Sequence, residues 1–234
     1  MQTDPPNREN RVHAETTDGT PAAKGRFIVF EGIEACGKTT QIELLAERFR
    51  ARGQEPLLLR EPGGTEIGEK IRNLLKDSNY LGQMSPEAEL LLMNASRAQL
   101  VREVIRPALD KGRIVICDRY FYSTIAYQGF GRSLPWDALN AVNRFAVGGL
   151  EADFVIFLDI PLEESWERLC HRNEELFRTQ GIQIKDRFEE SGRLFHERVY
   201  KGFQTLAEEC PVFRRINGAQ SREKVAEEIW NILK

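Results

Sequence analysis

The chain is 234 residues long with a formal net charge of −3 and an isoelectric point near 5.8, enough length for one sizeable core. So small a charge excess excludes the broad basic face that gripping a nucleic-acid backbone requires, and no apolar run reaches the length of a membrane span. Cys36, Cys117, Cys170 and Cys210 are scattered without CxxC spacing, and His13, His171 and His196 lack metal-ligand spacing, so reduced thiols in a cytoplasmic protein are expected.

Residues 1–25 mix Asp4, Glu9, Glu15 and Asp18 with Pro, Asn, Thr and Arg and have no hydrophobic segment of the signal-peptide kind. They read as a disordered tail. The first strand is Phe27-Ile28-Val29-Phe30, followed by a glycine loop and apolar residues at helical spacing over 41–52. A second short strand covers 56–59 and runs into the loop Glu61-Pro62-Gly63-Gly64-Thr65, where two glycines after a proline allow close backbone approach to a ligand. Helix is expected over 66–76, then over 87–109 behind Ser85 as cap and Pro86 as first helical residue. A third strand at 114–117 leads through a turn-rich segment to a helix over 136–147. A fourth strand at 154–158 precedes helix at 163–177, a loop at 178–185 and helix again over 188–210. A fifth strand at 212–216 and an amphipathic helix over 222–233 end the chain.

Strands alternating with helices imply an α/β three-layer sandwich, with a five-stranded parallel sheet covered on both faces. Its active site is expected beyond the carboxyl ends of the strands. One domain over 26–234 accommodates all of it.

The strongest chemical signal is Gly32-Ile33-Glu34-Ala35-Cys36-Gly37-Lys38-Thr39-Thr40, which fits GxxxxGK(S/T) between a strand and a helix. In that setting the loop N–H groups and the helix N-terminus converge on phosphate oxygens. Lys38 adds a point charge at the β/γ-phosphates, and the Thr39 hydroxyl can take one position on Mg²⁺. Asp118 at the end of the third strand is placed to hold Mg²⁺ opposite Thr39, and Arg119 beside it can reach a phosphate with its planar fork. Arg168 and Arg172 stand one helical turn apart, and Arg187 follows a loop. Arginines on a closing segment over about 168–190 would surround a phosphoryl group in flight and exclude water.

Taken together, Phe30-Glu31-Gly32, Arg60-Glu61-Pro62-Gly63-Gly64-Thr65, Ser96-Arg97-Ala98-Gln99, Asp118-Arg119-Tyr120 with Ser123 and Ala126-Tyr127-Gln128-Gly129, and Asp186-Arg187-Phe188-Glu189 resemble the thymidylate kinases of bacteria. The resemblance runs from Phe27 to the last helix. It implies a P-loop nucleoside monophosphate kinase that moves the γ-phosphate of ATP to dTMP with Mg²⁺, and a homodimer. It also makes Arg97 and Gln128 readers of the thymine edge with Ser123 nearby, Arg119 the ligand of the acceptor phosphate, and Tyr127 the wall behind the sugar. Glu34 falls near the 3′-OH, Arg60 and Pro62 belong to the acceptor side, and Arg172 and Arg187 are catalytic with Lys38 and Arg119. Two positions depart from the family. Ala35 stands where the bacterial branch usually carries glycine, so the cradle brings no extra charge and the lid must supply it. Met93 stands where a phenylalanine usually stacks on thymine.

Two other readings compete. A different acceptor, such as another nucleoside monophosphate or a nucleoside, would use the same fold. A nucleotide-responsive binding module would use the cradle as a switch, but would have no need of the lid arginines.

Overall fold

The computed structural model describes residues 25–181, 183 and 186–234. The tail expected over 1–25 lies outside these except for Gly25, which is buried; part of the loop expected at 178–185 lies outside them as well. Five strands, β1 (Arg26–Glu31), β2 (Leu57–Arg60), β3 (Ile114–Asp118), β4 (Phe154–Asp159) and β5 (Phe213–Asn217), form a parallel sheet in the order β2-β3-β1-β4-β5. From β1 the chain first builds outward on one side through β2 and β3, then on the other through β4 and β5. The order therefore reverses at β1, and its carboxyl end is where a ligand crevice opens. Register sharpens this: Phe30 lies beside Asp118, Glu31 beside Phe157, and Arg60 beside Asp118, so Glu31, Arg60 and Asp118 arrive at one sheet end.

The central strands are buried on both faces, as their unbroken apolar runs require. Phe27, Phe30, Ile116, Phe157 and Phe203 belong to one continuous core. Around the sheet lie α1 (Lys38–Arg50), α2 (Glu66–Lys76), α3 (Pro86–Leu100), α4 (Arg106–Asp110), α5 (Phe121–Thr124), α6 (Trp136–Val147), α7 (Leu162–Gln180), α8 (Arg193–Glu209) and α9 (Arg222–Leu233). Where a cap is written in the sequence, the helix starts on it. Thr65 Oγ1 accepts from Gly68 N at 2.9 Å and Ser85 Oγ accepts from Ala88 N at 3.2 Å.

Four expectations need correction. The helix expected over 87–109 is not uniform: α3 passes through a π-helical stretch, Val101–Ile105, into α4. Pro107 has no N–H to donate and its ring crowds the carbonyl of the preceding turn, so widening the helix ahead of it relieves the clash. The segment after β3, read as turn-rich, is helical through α5 and a π-helical stretch, Ile125–Gly131. Its glycines mark close packing rather than turns. A Cβ on Gly129 would meet the Trp136 ring at 2.8 Å, and one on Gly131 the Phe195 ring at 2.6 Å. Helix α8 starts at Arg193 rather than 188, because Gly192 at φ +82° breaks the course. The lid loop starts later, since α7 continues to Gln180 before Gly181 ends it in a left-handed turn.

Candidate active site

Between β1 and α1 the backbone turns through Gly32 at φ +143°, Ala35 at +52° and Gly37 at +99°. A Cβ on Gly32 would lie 2.7 Å from the Leu158 carbonyl oxygen, so the close approach of the loop to β4 demands glycine there. Residues 34–40 face a cavity of about 470 Å³. Gly32 and Ile33, expected in the same cradle, sit behind it, and their carbonyl oxygens accept from Lys38 Nζ at 3.1 and 3.0 Å. The ammonium is thereby held over the loop. Asp118 lines the cavity with a buried Oδ1 that has no hydrogen-bond partner among the described residues, and Thr39 lines it from the exposed start of α1. A carboxylate oxygen and a hydroxyl without hydrogen-bond partners among the described residues form a hard-oxygen donor set, which suits Mg²⁺.

Facing the cradle, Arg119 is held at φ +71°, a conformation costing a non-glycine residue about 1–2 kcal/mol. Its N–H donates to Phe30 O at 2.9 Å, and its Nη1 donates to Gly32 O at 2.9 Å and Ser123 Oγ at 3.0 Å. Burial opposes its charge, but Tyr127, Glu34, Asp118 and Glu31 together raise it above the ordinary guanidinium range. Glu34 shows the reverse balance: burial pushes its carboxyl up, and Arg119, the Tyr127 hydroxyl, His196 and Lys38 bring it below the usual value. Tyr127 donates its hydroxyl to Glu34 Oε1 beneath the Arg119 guanidinium, which lies 5.1 Å from the ring centre. Both residues are thus engaged with each other at the cavity wall.

Glu31 organises this wall from behind. Fully buried, it accepts from Tyr120 N at 2.9 Å, Ser123 N at 3.1 Å and Ser123 Oγ at 2.6 Å, capping α5 with a carboxylate whose pKa burial pushes up. The Ser123 hydroxyl is consumed in this way, between Glu31 and Arg119. One residue further on, Thr124 Oγ1 lines the cavity buried and without a partner among the described residues, so that hydroxyl is available to a ligand.

Deeper in the cavity Arg97, 2 % exposed, donates Nε to Glu61 Oε2 at 2.7 Å and Nη1 to Asn94 Oδ1 at 3.0 Å. Burial pushes the Glu61 carboxyl up to about 7 despite Arg97 beside it. Met93 and Gln128 line the same end, the amide of Gln128 donating to Glu89 at 2.7 Å. Pro62 lines the cavity too, its carbonyl accepting from Arg72 Nη1 at 2.9 Å. Arg60 reaches it with a guanidinium already bonded to Glu69 at 2.7 and 2.9 Å; this pairing draws Glu69 down to about 2.

On the lid side Arg168 lines the cavity while bonded to Glu164 and to Gly218 O, and Arg172 lines it while bonded to Glu189 at 2.8 Å. Arg187 is not brought to the cavity. It is 3 % exposed, donates Nε to Leu75 O at 2.9 Å and Nη1 to Glu89, and stacks over Phe188. A guanidinium that finds a buried carboxylate and a carbonyl in the protein stays with them.

A sequence profile of the thymidylate kinase family matches residues 30–229. The chain is similar to a protein named thymidylate kinase from Desulfovibrio desulfuricans, 46% identical over 201 residues that cover 85% of this chain and 90% of the relative. A Thermoanaerobacter thymidylate kinase is 42% identical over 212 residues, 90% of this chain and 98% of its own. Another from Geotalea daltonii is 46% identical over 187 residues, 79% of this chain and 84% of its own. The chain belongs to the thymidylate kinase family.

Within this thymidylate kinase scaffold, sequence reasoning passed over Glu31, Glu61, Arg72, Glu89 and Thr124. Arg72 had a signal: Gly68 and Leu75 are the buried residues of α2, and an arginine four positions after Gly68 shares that face. Glu89 had one as well, lying on α3 one turn before Met93 and two before Arg97.

Proposed function

We propose that the chain phosphorylates dTMP to dTDP with ATP, the cradle holding the donor and the Arg97 end of the cavity holding the acceptor. The observation that carries this is the joining of both in one cavity, lined by Lys38 of the cradle, by Arg119, which donates to Gly32 O behind the cradle, and by Arg97, Gln128 and Thr124. Lys38 and the cradle N–H groups hold the β/γ-phosphates, while Arg119, with Arg72 nearby, binds the acceptor phosphate. The attacking group is a phosphate oxygen whose last ionisation lies near pH 6, so it is deprotonated at neutral pH and needs no general base. What the protein must supply is alignment and positive charge. Arg172, which lines the cavity from α7, provides charge that Ala35 does not. Arg187 contributes at a distance, by tying its own segment to Glu89 on α3.

Thr39 and Asp118 would hold Mg²⁺. When bound, the ion neutralises charge developing between the β- and γ-phosphates. Tyr127 and Glu34, bonded to each other, form the wall against the sugar. No helix among the described residues is long and apolar enough to cross a membrane, which supports a cytoplasmic reading. Ile67 and Leu74 on α2, Leu91 on α3 and Phe145 on α6 are exposed apolar side chains, which supports a homodimer.

An acceptor panel tests the assignment: ADP formation by the purified protein with ATP and Mg²⁺ is followed over dTMP, dUMP, dCMP, thymidine and AMP. Turnover requiring dTMP, with dUMP weaker, is the expected result. Preference for AMP or thymidine would move the protein to another kinase class, and slow hydrolysis indifferent to the acceptor would make it a switch.

A further inference from the structure

Glu89 is completely buried on α3 and stands just behind the cavity. Its Oε1 accepts from Gln128 Nε2 at 2.7 Å and Arg132 Nε at 3.2 Å; its Oε2 accepts from Arg132 Nη2 at 3.1 Å and from Arg187 Nη1. Burial by itself would raise this carboxyl, but Arg132, Gln128 and Arg187 outweigh burial and hold it below the usual range. It is therefore a carboxylate without a proton, which can only accept.

An amide fixed at one end is fixed at the other. Because Glu89 takes the NH₂ group, the carbonyl oxygen of Gln128 is turned away from it, and Gln128 lines the cavity with no donor to that oxygen among the described residues. Nearby, Arg97 offers only N–H groups, two of its nitrogens being engaged by Glu61 and Asn94. A base edge placed between them meets one donor group and one acceptor group. Thymine and uracil answer with a carbonyl at C4 beside a protonated N3. Cytosine presents the opposite pair, an amino group beside a bare ring nitrogen.

We infer that Glu89 is a positioning residue that makes the site selective for keto pyrimidines, by locking the Gln128 amide with its carbonyl toward N3 of the base. The inference rests on the dTMP reading and deepens it. A glutamine free to rotate would pair with either N3–H or a bare N3 and lose that discrimination, whereas a locked one leaves a mismatched base with unpaired polar atoms on both sides.

The test compares kcat/KM for dTMP and dCMP. The unsubstituted enzyme is expected to prefer dTMP by about 100-fold or more. In Glu89→Gln the new side chain can donate as well as accept, which frees Gln128 to turn, and the preference is expected to fall by about tenfold or more through a raised KM for dTMP at an unchanged KM for ATP. Because that variant strands Arg187 and Arg132, Glu89→Gln/Arg187→Gln is measured beside it. An unchanged dTMP-to-dCMP ratio in either folded variant, with both substrates weakened alike, would overturn the inference by showing a purely structural carboxylate. Should neither fold, the unsubstituted protein decides. The NMR signal of the Gln128 side-chain NH₂, identified by its absence in Gln128→Ala, is expected to keep its position when dTMP is added; a large shift marking transfer of the NH₂ to the base would overturn the claim. Failure of the underlying reading shows itself separately, as an unsubstituted protein that does not phosphorylate dTMP.

Discussion

The two ends of the cavity are built from different materials. The cradle is backbone: its shape comes from positive φ at Gly32, Ala35 and Gly37, and its one positive charge, Lys38, is held by carbonyls five and six residues away. The acceptor end is side chain on side chain. Arg97 leans on Glu61, 36 residues earlier, and Gln128 and Arg187 lean on Glu89, 39 and 98 residues away. A backbone site is specified by a short contiguous string and survives most changes around it. A site built on buried ion pairs is specified by distant residues, and removing one partner leaves a charge without water or counter-charge. The first should therefore fail in chemistry with the fold intact, and the second in stability and chemistry together.

Lys38→Met is the largest expected loss and the cleanest test of the cradle half. The loop's course is set by the positive φ of Gly32, Ala35 and Gly37, and the ammonium adds only two hydrogen bonds to its carbonyls, so the melting temperature should nearly hold while kcat falls by about 10²–10³, the usual cost of removing one preorganised electrostatic contact. A variant that unfolds would show that the loop leans on its lysine as heavily as the acceptor end leans on its carboxylates, and the contrast would collapse.

Arg187→Ala tests the other half. It removes one of the cations around a fully buried Glu89 and leaves Arg132 and Gln128 to hold the charge, so the loss is placed at the low end of the range for breaking a buried pair, about 3 kcal/mol in urea unfolding. Normal stability with a collapsed kcat would mean that Arg187 leaves Glu89 to reach the phosphates, as the resemblance alone implies. Arg172 gives the smaller contrast on the same segment. Its side chain is 42% exposed, so water shares in whatever charge it supplies. Arg172→Ala is expected to leave stability unchanged and lower kcat about tenfold, some 1.4 kcal/mol, with less effect on KM for ATP. A change confined to KM would place it in ground-state binding instead.

The same division explains what could be read from the sequence. Strands β1, β3 and β4 are apolar runs, α2 and α9 carry a threonine or serine cap followed by periodic apolar residues, and the cradle is a contiguous string; each is a local signal. Residues 121–131 were illegible for a definite reason. Ser123, Thr124, Gln128 and the glycines signal a turn locally, yet here they fill a buried helical course, because Glu31 and Glu89 supply partners and the Trp136 and Phe195 rings need room. The sequence points to Ser123 as a ligand contact and gives no reason to prefer Thr124, because only the distant Glu31 decides which of two adjacent hydroxyls is already occupied. Arg60, expected on the acceptor side, and Arg187, expected to be catalytic, have carboxylate partners in Glu69 and Glu89, which only the fold brings to them.

The smallest expected effect belongs to Met93, where the acceptor end is tuned without any ion pair. Met93 is half-buried, lines the cavity and lies one helical turn from Arg97, so its side chain is presented beside the guanidinium proposed to read the base. A phenylalanine there would stack on a base for about 1–3 kcal/mol, against about 0.3–1.5 kcal/mol for a thioether sulfur on a ring. The ranges overlap, and a difference of about 1 kcal/mol corresponds to roughly fivefold in affinity. Met93→Phe is therefore expected to lower KM for dTMP by about that factor. Stacking does not depend on the donor and acceptor pattern of the base edge, so the dTMP-to-dCMP ratio set by Arg97 and Gln128 should stay where it was. The flexible thioether also tolerates bulk at C5, and 5-substituted pyrimidines larger than thymine should lose ground in the variant. If KM stays fixed while the melting temperature drops, the new ring has been forced into the α3 core rather than over the base. Pro62 and Phe188, which line the same cavity, would then be the walls against which the pyrimidine lies.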